Sequence, residues 1–118
     1  MPVLEIEFVG EGEPAPSAQK LADAVGEVLN TPAGQTWVKV RVLPEAYYAE
    51  NGSSSHDLRP VFVSILLRKL PEEIERERIA RSLGQAIAKV SGRASENIHI
   101  LFLPEGHGRA AFGGNLIR

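Results

Sequence analysis

The residue with the most specific chemistry in this sequence is Pro2, which directly follows the initiator methionine. Removal of Met1 would convert the Pro2 nitrogen from an amide into a secondary amine with a free lone pair. An ordinary α-amino group has a pKa of about 7.7–8.0, and burial in an apolar site or a nearby cation lowers that pKa toward neutrality. A group with a pKa near the working pH is a suitable general base. Pro is also tolerated at the first position of a strand, so a purely structural role for Pro2 stays open here.

Other side chains that often carry chemistry are absent or have the wrong spacing. The sequence contains no Cys, which excludes a thiol nucleophile, a disulfide and a Cys-based metal site. His56, His99 and His107 lack metal-ligand spacing. The Gly-rich segment GHGRAAFGG is not followed by a helical pattern, so it is not a dinucleotide-binding loop. We therefore expect neither a metal nor a cofactor.

The composition is that of a small globular domain. The chain has 118 residues, of which 43% are hydrophobic and 24% charged, and this length suits one compact domain. A net charge of -2 argues against a nucleic-acid partner. Glu5 and Glu7 stand where a signal peptide requires positive charge, and no apolar run is long enough to span a bilayer. We expect a cytoplasmic protein with no membrane partner.

The chain contains two copies of a strand-helix-strand pattern, predicted at 2–45 and 60–105. Both copies begin with Pro and an apolar, β-branched run, and both end in Leu-Pro-Glu after a second strand. Each helix has one apolar stripe, and the first helix has Ser17 as its expected N-cap. At a constant offset the stripe residues of one copy match those of the other: Leu21 and Ile79, Val25 and Leu83, Leu29 and Ile87.

These patterns predict an α+β fold in a single domain, 1–118, with parallel strands in each β-α-β unit. The expected architecture is a four-stranded mixed sheet with two helices on one face. A polar loop, 46–59, connects the copies. The tail at 106–118 could add a short strand at 115–118, with a neighbouring subunit as one candidate partner. The uncovered sheet face would still carry apolar residues such as Leu43 and Leu101, which favours oligomerisation.

Several of these features together resemble the tautomerase superfamily, which includes 4-oxalocrotonate tautomerase (4-OT) and macrophage migration inhibitory factor. They are Pro2, the two β-α-β units that each start with Pro, the segment VKVRVLPE and the Gly-rich AFGGNLI. The resemblance implies a (β-α-β)2 fold and a homotrimer with the sheets inside. It also implies a cofactor-independent enzyme in which Pro2 moves a proton during keto-enol or 1,3-allylic isomerisation of an unsaturated or enolic 2-keto acid.

The resemblance assigns Arg68 and His99 to the site, and the tail adds Phe112. Arg68 matches the first Arg of an Arg-x-Arg pair in dehalogenase and decarboxylase relatives, although Leu70 replaces the second, and it would bind a substrate carboxylate. His99 matches a Tyr that a neighbouring subunit donates, and Phe112 would form a wall of an adjacent subunit's pocket. Arg68 as a solvated strand-end charge and His99 as a locally satisfied strand residue remain the alternatives.

Arg41, Lys39 and Tyr48 are further candidates because of their positions in the sequence. Arg41 and Lys39 alternate with valines on the strand face that corresponds to His99. They would either bind substrate or form a polar interface network with Glu5 and Glu7. Tyr48, in the loop after the second strand, would cover the site, donate a proton or pack at an interface.

Two rival functions are consistent with the same residues. In a dehalogenase- or hydratase-type enzyme of the same superfamily, Pro2 would stay cationic and act as an acid, with Glu45, Glu50 or Tyr48 activating water. A non-enzymatic ferredoxin-like domain that binds a ligand would explain the repeat and give Pro2 no role.

Overall fold

The computed structural model describes residues 2–12, 16–52 and 58–118, so Met1 and His56 lie outside the described residues. Its elements in chain order are β1 (Val3–Val9), α1 (Ala18–Leu29), β2 (Trp37–Leu43), β3 (Val61–Leu66), α2 (Glu73–Ser91), β4 (Ile98–Phe102), β5 (Ala111–Phe112) and β6 (Asn115–Leu116). Short 3-10 turns cover Glu45–Tyr47 and Ser95–Asn97. The predicted order of elements is confirmed.

The four long strands form one mixed sheet in the order β2-β1-β3-β4. β1 is parallel to β2, β3 is parallel to β4, and the two units join through the antiparallel pair of β1 and β3. This arrangement confirms the predicted sheet. In a split β-α-β fold another strand separates the parallel pair, whereas here the members of each pair are direct neighbours. The ferredoxin-like alternative is therefore wrong as a description of the fold.

Local sequence explains where the helices begin and end. The Ser17 hydroxyl accepts a hydrogen bond from the Lys20 backbone N–H at 3.2 Å and caps α1, as predicted. Asn30 follows α1 and Gly92 follows α2, and both adopt the left-handed conformation that commonly terminates helices. Glu73 and Glu75 lie in the first turn of α2, where carboxylates interact favourably with the helix dipole.

The hydrophobic core lies between one face of the sheet and the two helices. Its buried members include the predicted helix residues Leu21, Val25, Ile79, Leu83 and Ile87, together with alternate residues of β1 and β3. The opposite sheet face is open in the single chain. It exposes Trp37, Phe62 and Leu101, with 61% of the Leu101 surface accessible. This exposed apolar surface is the feature that favours oligomerisation.

The C-terminal tail forms a small hairpin within its own chain. β6 pairs with β5 in an antiparallel manner, and Gly113 and Gly114 adopt positive φ angles in the turn between them. The predicted short strand therefore exists, and in this structure its partner is β5 of the same chain. Among the described residues, no helix is both long and apolar enough to cross a membrane.

Candidate active site

Pro2 is buried at one edge of the sheet, immediately before β1. Its carbonyl accepts a hydrogen bond from the Trp37 backbone N–H at 3.0 Å, which fixes the start of β2 beside it. The next residue, Val3, pairs with Trp37 on one side and with Leu66 on the other. The edge around Pro2 is thus formed by the beginning of β1, the beginning of β2 and the end of β3. We call it the Pro2 edge.

An aromatic pair lies at the Pro2 edge. The Phe112 ring meets the Trp37 ring edge-on, with centroids 5.1 Å apart and an interplanar angle of 86°. The Trp37 indole N–H also donates to the Gly34 carbonyl at 3.1 Å, yet 49% of the residue remains exposed. Trp37 is therefore held in a fixed orientation with a large apolar surface still available for contact.

The C-terminal tail brings Phe112 to this position. The backbone N–H groups of Gly106 and His107 donate to the carbonyls of Leu67 and Arg68 at 2.8 and 3.0 Å. The tail is therefore attached to the end of β3, and Phe112 attaches it to β2. Because β1 lies between these two strands, the tail spans the Pro2 edge. Phe112 thus lies beside its own chain's Pro2 edge, and its predicted contact with an adjacent subunit stays a prediction.

Arg68 also lies at the Pro2 edge. It follows Leu66 by two residues, and Leu66 pairs with Val3 in the antiparallel register of β1 and β3. Its side chain is exposed, while its backbone carbonyl is bound by the tail. Among the predicted site residues, the structure brings Pro2, Arg68 and Phe112 to one end of the sheet.

The remaining predicted residues lie farther along the open sheet face. The register places Arg41, Glu7, Phe62 and His99 in one row across all four strands. The Phe62 ring centroid is 5.5 Å from that of His99 and 5.7 Å from that of Tyr48. Glu7 is five residues from Pro2, which corresponds to about 17 Å along a strand. Within one chain, this row is therefore separate from the Pro2 edge.

Tyr48 has a carboxylate partner in this second group. Its hydroxyl donates to Glu50 Oε2 at 2.5 Å. This hydrogen bond raises the pKa of Tyr48 above its ordinary value, and slight desolvation and the Glu50 charge act in the same direction. Such a pair could donate a proton or hold a water molecule, the roles expected of Tyr48 from the sequence.

One charged pair of the predicted network on the open face, Lys39 with Glu5, is present. Lys39 Nζ lies 2.7 Å from Glu5 Oε1, and a shallow cleft of about 460 Å³ adjoins the pair. The hydrogen bond and charge of Lys39 lower the pKa of Glu5, with a smaller contribution from Arg41. In the single chain the pair is largely exposed, so it contributes little to stability there.

Over residues 2–12, 16–52 and 58–118, no three His, Asp or Glu side chains converge as they would around a metal ion.

The sequence marks Trp37 only as the start of a strand and does not predict that it belongs to the site. Its role depends on the register that places it beside Val3 and on a tail more than 70 residues away in the chain. The one sequence feature that points to Trp37 is an aromatic residue at the first position of a strand expected to lie parallel to β1.

Comparisons with known proteins support the fold. No protein-family model matches the chain, and no curated protein sequence matches it significantly. Three solved structures illustrate the likeness. A symmetric trimer of wild-type fused 4-OT has 14% identity and a TM-score of 0.77 over 97% of this chain and 94% of its own. Macrophage migration inhibitory factor from Oncomelania hupensis has 20% identity and a TM-score of 0.72 over 98% of this chain and 81% of its own.

The third structure, FG41 malonate semialdehyde decarboxylase inhibited by 3-bromopropiolate, has 17% identity and a TM-score of 0.71 over 94% of this chain and 88% of its own. These identities are low, so the likeness establishes the fold. The predicted resemblance to the tautomerase superfamily is confirmed at the level of the fold.

Proposed function

We propose that this protein is a cofactor-independent tautomerase in which Pro2, exposed as the N-terminus by removal of Met1, acts as general base. Its substrate would be an unsaturated or enolic 2-keto acid, and the working form would be a cytoplasmic homotrimer. The observation that carries the proposal is the position of Pro2 in a tautomerase fold. It is buried at a sheet edge that also holds an aromatic pair and a cationic side chain.

The surroundings of Pro2 suit a base that works near neutral pH. Burial disfavours the charged form of an amine and would lower its pKa, and the nearby Arg68 cation would act in the same direction. In the enol-to-keto direction, the neutral Pro2 nitrogen would accept the enol hydroxyl proton while the double bond shifts. The prolinium would then deliver that proton to carbon. The O–H bond breaks, a C–H bond forms, and no oxidant or reductant is required.

The other groups at the Pro2 edge would hold the substrate. Arg68 would bind the carboxylate, because a guanidinium can form two parallel hydrogen bonds with it. Trp37 and Phe112 would contact the flat unsaturated part of the substrate. Their fixed edge-on arrangement means that little conformational entropy would be lost on binding.

A trimer would explain why the candidate residues occupy two separate places in one chain. Covering the open face with a second copy would bury Phe62 and Leu101 and could bring the row containing His99 to another chain's Pro2. His99 or Tyr48 would then polarise the substrate carbonyl. The likeness to a 4-OT that forms a symmetric trimer supports this arrangement.

The decisive experiment combines three measurements on one preparation. Mass spectrometry must show that Met1 is absent, since an acylated proline nitrogen cannot accept a proton. NMR titration of the Pro2 nitrogen should then give a pKa near neutrality, and turnover should occur with 2-hydroxymuconate or an arylenolpyruvate. Retained Met1 in an active preparation, or no turnover by processed protein, would contradict the proposal.

A dehalogenase- or hydratase-type reaction is the second candidate, and the hydrogen-bonded pair of Tyr48 and Glu50 favours it. Such a pair could orient a water molecule for attack while a cationic Pro2 donates a proton. The same titration separates the two functions, because a Pro2 pKa well above 8 would favour the acid role.

A further inference from the structure

A cleft at the opposite end of the sheet from Pro2 has the features of a second binding site. It lies at the carboxyl end of β1 and has a volume of about 360 Å³. Its lining includes the turn Gly10–Gly12, part of the α2 C-terminus, and the two arginines Arg59 and Arg93. Phe8 also lines it and is six residues from Pro2, which corresponds to about 20 Å along a strand.

Arg93 is fixed in the wall of this cleft by three main-chain carbonyls. Its Nη1 donates to Val9 and Arg59 at 2.9 and 2.8 Å, and its Nη2 donates to Gly10 at 2.9 Å. Its guanidinium carbon also lies 5.4 Å from the centroid of the Phe8 ring. A guanidinium has five N–H donors. Three main-chain carbonyls among the described residues thus engage three of the five donors of Arg93.

Arg59 brings a second positive charge to the same place. Its side chain donates from Nη2 to the Glu11 carbonyl, and a Cβ atom at Gly12 would collide with that nitrogen. Gly12 therefore permits the close approach of Arg59 to the turn. The backbone of Arg59 adopts φ +44°, an unfavourable conformation for a residue with a side chain, which often marks functional positions.

The charges in the cleft are unbalanced among the described residues. The pKa of Arg93 is lowered mainly by burial and to a smaller extent by the positive charge of Arg59. Glu11 is the one carboxylate among the described lining residues, and its side chain is exposed. Two guanidiniums at one partly enclosed site repel each other, and an anion bound between them would relieve this repulsion.

We propose that the cleft between the Gly10–Gly12 turn, Arg59 and Arg93 binds a small multivalent oxyanion, a phosphate or a dicarboxylate, at a site separate from Pro2. Planar guanidiniums bind both kinds of oxyanion through paired hydrogen bonds. Arg93 forms the rigid side of the site, because its position is fixed by three strand-end carbonyls. Arg59 supplies the adjustable side, and its removal should weaken binding without disturbing the core.

The test uses the full chain and inorganic phosphate, with succinate as the dicarboxylate and chloride at equal ionic strength as reference. Amide chemical shifts of Gly10, Gly12 and Gly92 should move in a saturable manner on addition of phosphate or succinate. The oxyanion with the lower dissociation constant identifies the preferred class. Turnover at Pro2 does not enter this measurement, so its outcome is independent of the proposed tautomerase activity.

Arg59→Gly is the informative variant, because glycine readily adopts the positive φ of this position. We expect its dissociation constant to rise at least ten-fold, which corresponds to about 1.4 kcal/mol. Arg59→Lys should give an intermediate value, since it keeps the charge and loses the planar fork. Arg81→Ala, on the exposed surface of α2, removes one positive charge elsewhere and should bind as the wild type does.

Three results would each overturn the proposal. They are the absence of saturable shifts in the wild type, an unchanged dissociation constant in Arg59→Gly, and equal weakening in Arg81→Ala. The last would show that binding follows overall charge. Circular dichroism and the thermal midpoint confirm that each variant is folded before its dissociation constant is compared.

Discussion

Replacing Pro2 with Ala tests the proposed general base, and the same replacement at Pro60 is the control within the same chain. Pro60 is also buried and also directly precedes a core strand. Each carbonyl also accepts a hydrogen bond from a backbone N–H of a neighbouring strand at 3.0 Å, Pro2 from Trp37 and Pro60 from Val9. Alanine keeps both carbonyls. The cost of each replacement should therefore come chiefly from the added freedom of the unfolded chain, about 0.4–1 kcal/mol.

The two replacements should differ in their effect on turnover. General base catalysis typically contributes about 10²- to 10⁴-fold to a rate, or roughly 2.7–5.4 kcal/mol of transition-state stabilisation. Pro2→Ala leaves a primary amine, so we expect kcat/KM to fall by about 100-fold, near the lower end of this range. A loss of about 1 kcal/mol in stability leaves a domain of ordinary stability almost entirely folded. Pro60→Ala should therefore keep its activity.

The assay is steady-state turnover of 2-hydroxymuconate at a fixed pH, with loss of Met1 verified by mass for every variant. Thermal unfolding of both variants supplies the stability comparison. The reasoning fails if Pro2→Ala keeps kcat/KM within a few-fold of the wild type. It also fails if Pro60→Ala loses as much activity as Pro2→Ala, because the loss would then be structural.

Three further predictions concern groups around the candidate site. Arg68→Gln should raise KM by about ten- to hundred-fold, because a charge-assisted hydrogen bond to the substrate carboxylate is lost. The control Lys69→Gln should change KM less than two-fold. Equal effects of the two variants would exclude Arg68 as the residue that binds the carboxylate. Trp37→Ala should raise KM for an arylenolpyruvate by about two- to ten-fold, which corresponds to the free energy of one aromatic contact. The increase in KM for 2-hydroxymuconate should be smaller. Equal increases for both substrates would contradict the aromatic contact. The pKa of Glu5 is lowered in the folded chain by Lys39, so its contribution is present above the ordinary pKa and is lost as the pH falls through the lowered one. Glu5→Gln should remove this loss of stability at acidic pH, which is only a few tenths of a kcal/mol in an isolated chain because the pair is exposed. Urea unfolding between pH 3 and 6 measures the free energy of unfolding of both proteins. If the variant and the wild type have the same pH profile, the prediction is wrong.

The sequence predicted the elements of the fold well because its periodic pattern is a local property that repeats. Leu21 and Ile79 occupy matching positions in the two copies, and both are buried against the same sheet. Ser17 was recognisable as an N-cap because a cap bond connects residues only three apart. Because the two copies are alike, the strand-helix-strand prediction for one copy supports the same prediction for the other.

The site was harder to predict because its geometry depends on long-range register. Trp37 reaches Pro2 through the pairing of two strands, and Phe112 reaches Trp37 through a tail that crosses the sheet edge. No sequence pattern marks Arg93. Its three acceptors are backbone carbonyls at residues 9, 10 and 59, and a backbone acceptor leaves no mark on residue type.

The position of His99 shows how the proposed mechanism depends on assembly. It shares a row with Phe62 and Glu7, about 17 Å from Pro2 along the strand direction, whereas a group that polarises a substrate carbonyl must lie within hydrogen-bond distance of it. In one chain, His99 therefore cannot act together with Pro2. If the protein is active only as an oligomer, the activity at low concentration should fall as subunits dissociate, and His99→Gln mixed with Pro2→Ala should regain part of the activity that each variant lacks alone. Recovery in mixed trimers requires that the two residues act from different chains, because a site built within one chain would stay defective in every subunit.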